Sequence, residues 1–431
     1  MNEQRMPAEA PVLPGTSEVS GMPGVPDASG VPESAGKPAV AGGAGPRPGP
    51  DATGRDIFFV SNSVDELGGV TSWSHQMARL FAARGHRVQV VGIGPAEERQ
   101  SLGGEPAYPV LTLYDAPPPK VRPVTFGSRF NPVERRRRGA REAGMREQAE
   151  KLSALFRAAG PGAVVIVTQV WAMEWVTLAD TAGATVIGMS HESYAYSRDS
   201  SRFRRVQRFY RDVDRMLVLT QEDADLWIRQ GLDNTGFMPN PLPFMPDEPS
   251  PRTAKVVTSM GRLTDQKGID MLLDTWAEVA PRHPDWTLHI YGAGEDEEML
   301  RAQCTALGLD GSVEWRGRTG DVPGALRAGS VFVQSSRGEG LPLALMEAMA
   351  AAVPCAAFDC APGVREIIRD GEDGLLAAPG NTGELARRLD TLMSDRELRD
   401  RMGELARERV RRFSTEEVVR RWEELFAFLE R

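Results

Sequence analysis

The chain has 431 residues, 51 basic and 60 acidic, with a formal net charge of −9 and 41% hydrophobic residues. That length suits two or three domains with full cores, and the acidic balance argues against a dedicated nucleic-acid binder, which carries a strongly basic one. The longest apolar stretch, Ala163 to Met173, is broken by Thr168 and Gln169 and falls far short of the roughly 20 residues that cross a bilayer. The opening MNEQRMPAEAPV has no basic segment leading into an apolar run, so no secretory signal is expected and the cytoplasm is the expected compartment. Cys304, Cys355 and Cys360 show neither metal-ligand nor disulfide spacing and read as small buried residues.

The first fifty residues hold 10 Pro and 9 Gly and almost no periodic apolar positions. Such a composition does not offset the entropy of ordering a backbone, so residues 1–51 are expected to be a disordered tail. Apolar runs then alternate with helical patterns: DIFFVSNS at 56–63, a helix from about Thr71 to Arg84, and RVQVVGIG at 87–94. AVVIVTQV (163–170), ATVIGMSH (184–191) and RMLVLT (215–220) continue the series. This β-α alternation predicts a parallel sheet covered on both faces, in a first domain at 52–243. MPNPLPFMPDEPSPRT, 238–253, carries six prolines and reads as the interdomain linker.

The pattern restarts with KVVTSMGR (255–262), a helix from about Gly268 to Ala280, WTLHIYGAG (286–294) and VEWRGR (313–318). SVFVQSS (330–336), a helix from Leu343 to Ala351 and PCAAFD (354–359) complete a second domain at 244–413. Two doubly wound, Rossmann-like α/β domains facing across a cleft are the expected architecture, with chemistry in the loops beyond the carboxyl ends of the strands. STEEVVRRWEELFAFLER, 414–431, reads as a terminal helix: Ser414 and Glu417 fit a capping box, and Val418, Trp422, Leu425, Phe426 and Leu429 recur at helical spacing.

The densest constellation is SSRGEGLPLALMEAMA, 335–350, where Glu339 and Glu347 flank a helix start. Gly340 permits unusual backbone angles, Pro342 suits a first helical turn, and the free amides make an anion site. Acidic residues near a helix start are also favoured simply as charge caps. In GRLTDQKG, 261–268, Arg262 and Lys267 suit a diphosphate if they share a cleft; the plain alternative is a solvated loop. Gly68-Gly69 follows the first strand without the G-x-G-x-x-G spacing, and YGAGEDEE has Glu297 where a third glycine belongs, so both are weak dinucleotide signals. RRRRGAR (135–141) and RFRRVQRFYR (202–211) suit solvated helix faces, or contact with anionic headgroups or a phosphate-bearing acceptor.

Together these motifs resemble glycosyltransferase family 4, the retaining nucleotide-sugar-dependent transferases of GT-B fold. The resemblance rests on GRLTDQKG, YGAGE, EGLPLALMEAMA and GVREIIRDGEDGLLAAPGN in the second half, and on GGV, SHESY, LVLTQEDADLW and MPNPL in the first. It implies a hexosyltransferase moving sugar from a nucleoside diphosphate donor to an acceptor hydroxyl with retention, on a lipid-linked or polymeric glycan. Glu347 would bind the ribose, Glu339 the donor sugar, and Arg262 and Lys267 the diphosphate. Gly340 and Leu341 would add amides, Gly69 would allow close approach from the opposite domain, and His191 would lie near the anomeric carbon. No cofactor and no metal are implied, nor a nucleic-acid partner; peripheral contact with the inner membrane face is left open, and the terminal helix is expected to cross back to the first domain. One departure stands out: the family places Gly near Ala352, and Ala tolerates a left-handed helix ending poorly. The rivals are a nicotinamide-dependent oxidoreductase, told apart by cofactor binding, and a non-enzymatic sugar-nucleotide-binding protein, told apart by donor hydrolysis.

Overall fold

The structure, a computed structural model, describes residues 54–101, 104–118 and 131–430. The Pro/Gly-rich segment at 1–51 lies outside the described residues. In the first half, β1 (Asp56–Ser61), α1 (Gly69–Ala83), β2 (Arg87–Gly92), β3 (Val110–Thr112), α2 (Pro132–Arg157), β4 (Val164–Val167) and α3 (Met173–Val176) follow in order. They are succeeded by β5 (Thr185–Met189), α4 (Tyr194–Arg198), α5 (Ser201–Phe209), β6 (Arg215–Val218), α6 (Gln221–Ile228) and β7 (Thr235–Phe237). The second half begins with β8 (Val256–Met260), α7 (Ile269–Val279), β9 (Thr287–Tyr291), α8 (Glu297–Ala306), β10 (Val313–Gly317) and α9 (Val322–Arg327). It ends with β11 (Val331–Gln334), α10 (Leu343–Ala350), β12 (Cys355–Phe358), α11 (Pro362–Ile367), β13 (Gly374–Ala377), α12 (Thr382–Ser394), α13 (Arg396–Arg409) and α14 (Thr415–Leu429).

Among the described residues the strands form two all-parallel sheets, ordered β3-β2-β1-β4-β5-β6-β7 and β10-β9-β8-β11-β12-β13. Each is doubly wound, and the order reverses between β1 and β4 in one and between β8 and β11 in the other. At those reversals the outgoing loops diverge and leave a crevice. Alternation of side chains sorts each strand onto two faces: Ile57 and Phe59 enter one core, Phe58 and Val60 another. Burial on both faces is what the continuous apolar runs require. The core containing Ile57 and Phe59 also holds Leu341, Leu345, Met346 and Trp422, so one apolar body runs through both halves.

The helix α14 follows the second half in the chain but packs on the first. The Trp422 ring lies 6.3 Å from Trp73 and 6.1 Å from Phe81, and Phe426 lies 5.6 Å from Phe81. Arg84 reaches Glu423, and Arg55 pairs with Glu430. The cap is half of the expected box: Ser414 Oγ accepts from the Glu417 amide, while the Glu417 carboxylate turns to Arg420. Val419 is buried on this helix, and Leu425 and Leu429 are only partly so.

The linker is clamped to the carboxyl end of α10. The Ser250 amide donates to Ala351 O, Arg252 Nη1 donates to Ala352 O at 3.0 Å, and Arg407 donates to Ala350 O. Ala352 itself has φ 60°, the left-handed conformation that its Cβ opposes, at a cost of about 1–2 kcal/mol. Replacing it with Gly relieves that strain but loosens the unfolded chain by ~0.4–1 kcal/mol. Ala352→Gly should therefore raise stability by roughly 0.5–1 kcal/mol in urea denaturation; a loss of stability would mean that burial of the Ala352 methyl outweighs the strain.

Candidate active site

The carboxyl ends of both sheets open on one cleft of about 730 Å³, a size suited to a small-molecule site. It is lined from the first half by Asn62, Glu66, the start of α1, Thr168 to Trp171, and Ser190 to Glu192, and from the second by Gly261, Arg262, Lys267, Gly292, Arg318 and the Glu339 to Glu347 segment. The structure thus brings all eight residues singled out above, His191, Arg262, Lys267, Glu339, Gly69, Gly340, Leu341 and Glu347, onto a single surface.

The two motif loops of the second half are built as one unit. Gly268, at φ 61°, sits where a Cβ would meet Ser335 O at 2.2 Å, so only glycine lets the loop after β8 lie on the loop after β11. Gln266 Nε2 donates to Gly338 O at 2.9 Å, the Arg337 amide donates to Gln266 O, and Ser335 Oγ donates to Lys267 O. Lys267 Nζ donates to Glu339 Oε1 at 2.6 Å, and Ser336 Oγ donates to the same oxygen at 2.6 Å. Glu339 is buried, so its carboxylate requires these partners. Among the described residues the Arg262 and Arg318 side chains have no hydrogen-bond or ion-pair partner, leaving two free cations on this wall. Gly292 and Gly294 serve packing: a Cβ at either would lie 1.8 Å from Gly261 O or 2.2 Å from Leu263 O. They make no dinucleotide loop.

Gly340, rather than Gly69, makes the close approach between the halves. A Cβ at residue 340 would lie 2.0 Å from His191 O, whereas nothing lies within 4 Å of a Cβ at residue 69. The expectation that Gly69 accommodates the opposite backbone is therefore corrected: it opens α1 with its amide end facing the cleft, with no acidic residue in the first turn and no side-chain cap. Both α1 and α10 present uncapped amino ends, sites of partial positive charge.

His191 follows β5, its ring edge-on to Trp73 at 4.8 Å. Burial, with a smaller contribution from Arg202, lowers its pKa to about 4, and its Nε2 is buried with no protein partner. The imidazole is thus neutral at neutral pH. Glu347 lies on the second turn of α10 with no hydrogen-bond partner, and burial pushes its pKa up to about 7.

Several cleft residues escaped the sequence reading: Asn62, Glu66, Gln169, Trp171, Asn240, Arg318 and Gln334. Most sit within three residues of a strand's carboxyl end, which was the available signal. The two arginine stretches meet at one carboxylate, Glu174, which pairs with both Arg141 and Arg205; Arg202 instead lines the cleft and pairs with Glu192. Among the described residues no group of three His, Cys, Asp or Glu side chains is placed to hold a metal ion, and no helix is long and apolar enough to cross a membrane.

Two parallel sheets facing across a cation-lined cleft, tied by a returning terminal helix, define a GT-B glycosyltransferase that draws on nucleotide sugars. Family models match in succession, the glycosyl transferase 4-like domain over residues 68–242 and glycosyl transferases group 1 over residues 243–409, and the chain belongs to the group 1 glycosyltransferases. It is similar to an uncharacterized glycosyltransferase of Haemophilus influenzae, 27% identical across 85% of this chain and 98% of the relative. It is 29% identical to the phosphatidyl-myo-inositol mannosyltransferase of Mycobacterium leprae across 81% of this chain and 90% of that one. Among solved structures, a variant of TarM from S. aureus in complex with Fondaparinux, alpha-GlcNAc-glycerol and UDP superposes with a TM-score of 0.71 at 16% identity, over 86% of this chain and 99% of that one.

The titration of Glu347 yields a measurable effect. Its folded-state pKa lies above the ordinary value of 4.5, so the folded protein holds the proton more tightly and the associated stability, present below about pH 4.5, is lost as pH rises through about 7. His191 runs oppositely, losing stability as pH falls from 6.5 towards 4. Wild type minus Glu347→Gln isolates the first term, and that difference should fall by about 2–3 kcal/mol between pH 4.5 and 8. A difference flat with pH would mean that Glu347 is solvated.

Proposed function

We propose that this glycosyltransferase moves a hexosyl unit from a uridine diphosphate sugar to an acceptor hydroxyl with retention of configuration. The observation that carries the reading is the second-half wall: free Arg262 and Arg318, Lys267 shared with Glu339, and the open amides before α10, all on one cleft. As the bond from the anomeric carbon to the diphosphate breaks, charge gathers on the leaving phosphate. The backbone amides and the Glu339-held Lys267 stabilise that charge with little reorientation, and the exposed Arg262 and Arg318 are free to close onto it. Lys267 turns between Glu339 and the phosphate, so its charge is held in place before the donor arrives. Glu339 then accepts hydroxyls of the donor sugar, Glu347 those of the ribose, and the unpartnered Nε2 of His191 a hydroxyl near the anomeric carbon. The acceptor oxygen bonds to that carbon, and its proton passes to the departing phosphate oxygen.

Retention rests on the family resemblance, and the uridine base on the UDP named in the TarM complex. The mannosyltransferase of Mycobacterium leprae supports a role in glycan or glycolipid assembly. Contact with an anionic membrane surface, if made, would use the arginines of α2 and α5.

Lys267→Ala should lower kcat/KM for the donor by about 10²-fold, roughly 2.7 kcal/mol of transition-state stabilisation. Unchanged nucleotide release in a coupled assay would remove Lys267 from the mechanism. Because side-chain cations serve the diphosphate, turnover should also survive exhaustive EDTA; loss in chelator with recovery in Mg²⁺ or Mn²⁺ would assign that role to a metal.

A further inference from the structure

The first-half wall of the cleft differs in charge from the wall opposite. Its one arginine among the described lining residues, Arg202, is consumed by Glu192. Glu66 keeps a carboxylate on the cleft with no cation partner, since Arg99 pairs with Asp65 instead. The carboxylate is nonetheless held. Gln169 Oε1 accepts from the Asn62 amide at 2.8 Å, and Gln169 Nε2 donates to Glu66 Oε2 at 3.4 Å, which fixes the Gln169 side chain and aims Glu66. Beside them the Oδ1 of Asn62 is buried without a partner. Glu66 and Asn62 Oδ1 are both acceptors, so whatever completes them must donate hydrogen bonds. Hydroxyls do so, whereas an ionised phosphate or carboxylate does not.

An aromatic ring lines the same first-half wall. Of the aromatic side chains lining the cleft, Trp73 and Tyr291 are buried, while Trp171 is only partly so. The Trp171 ring is set edge-to-face against Trp175, 4.6 Å between centroids, and Trp175 is anchored by donating its Nε1–H to Tyr114. The C–H face of a pyranose is apolar and electropositive and complements the negative face of an indole. A fixed indole on the same wall as the half-buried Glu66 carboxylate and the unfilled Asn62 Oδ1 matches a sugar ring, which offers such a face together with a rim of hydroxyls.

On the glycosyltransferase reading above, we propose that the acceptor is a neutral sugar ring: it stacks on Trp171, donates hydroxyls to Glu66 and Asn62, and is discriminated from phosphorylated or carboxylated rings by Glu66. The cleft is then divided by charge, with the anionic donor on one wall and an uncharged acceptor on the other.

The test uses the full chain with UDP-glucose, UDP-galactose and UDP-N-acetylglucosamine as donors. Acceptor probes are p-nitrophenyl hexopyranosides set against hexose 6-phosphates and p-nitrophenyl glucuronide, with nucleotide release and product mass as readouts. Neutral glycosides should accelerate release and gain a hexosyl mass, and the anionic rings should not. Trp171→Ala should raise the acceptor KM about tenfold relative to the donor KM, with Trp171→Phe recovering most of the loss. Glu66→Gln should narrow the preference for neutral over 6-phosphorylated rings by tenfold or more. Should Trp171→Ala fail to fold, Trp171→Phe and Glu66→Gln decide. Equal or better use of anionic rings, no stimulation by any neutral glycoside, or an unmoved acceptor KM would overturn the inference while donor hydrolysis persists. Absence of donor hydrolysis in the wild type strikes the donor reading itself, and this inference with it.

Discussion

The missing side chain at residue 340 sets the spacing of the two sheets. Gly340 lies between His191 O on one side and Gly363 on the other, where Cβ atoms at 340 and 363 would come within 2.0 and 1.7 Å of backbone oxygens. Three backbones therefore stack with no side chain between them, and this lets a loop of the second half touch the end of β5. Glu339, one residue earlier, is held on the cleft by Lys267 and Ser336, and Leu341, one residue later, joins Leu219 of the first half in the shared core. Any Cβ here would wedge the halves apart and separate His191 from the second-half wall of the cleft. The glycine matters less for flexibility than for the thickness it saves.

The cleft that results has walls of opposite character. Arg262 and Arg318 stand unpaired on one side, and Glu66 stands unpaired on the other. Unpaired charges are tolerated here because none is buried: Arg262 and Arg318 are exposed and Glu66 is half-buried, so water supplies what the protein withholds. The orphaned atoms of Asn62, His191, Asn240 and Gln334 belong to the same pattern. Lys267 and Glu339 differ in that they satisfy each other, holding a lysine and a carboxylate at the site without stranding either.

The sheets were legible because strands buried on both faces must be apolar throughout, as in VVIV and VFVQ. β3, β7 and β13 were not legible from apolar runs: the first two are three-residue edge strands, one of them largely exposed, and Gly374-Leu-Leu-Ala is too short to stand out. Most predicted runs also overshot their strands. AVVIVTQV extends past Val167 and ATVIGMSH past Met189, and the surplus residues are the ones that line the cleft. The residues of the second-half wall could be named because their motifs lie contiguous in two loops. Trp171, Glu66 and Gln169 could not, since their relation exists only once β1 and β4 are side by side. Ala352, where the sequence departs from its family, adopts the left-handed angle regardless, held by the donors that Ser250, Arg252 and Arg407 aim at three successive carbonyls.

The two chain crossings between the halves are joined to each other. The Leu242 amide donates to Phe413 O at 2.7 Å, and Thr415 Oγ1 donates to Leu242 O at 3.3 Å, so the outward and returning strands of the connection meet at one point. Two parallel straps fastened together behave as a flexure: they resist sliding and twisting, and yield most easily to bending about a line through the fastening. Asn240, two residues before Leu242, donates to Leu341 O at 3.4 Å, so the Gly340 contact lies close beside that line. The fastening of the two straps and the closest approach of the halves thus form one joint on the cleft itself.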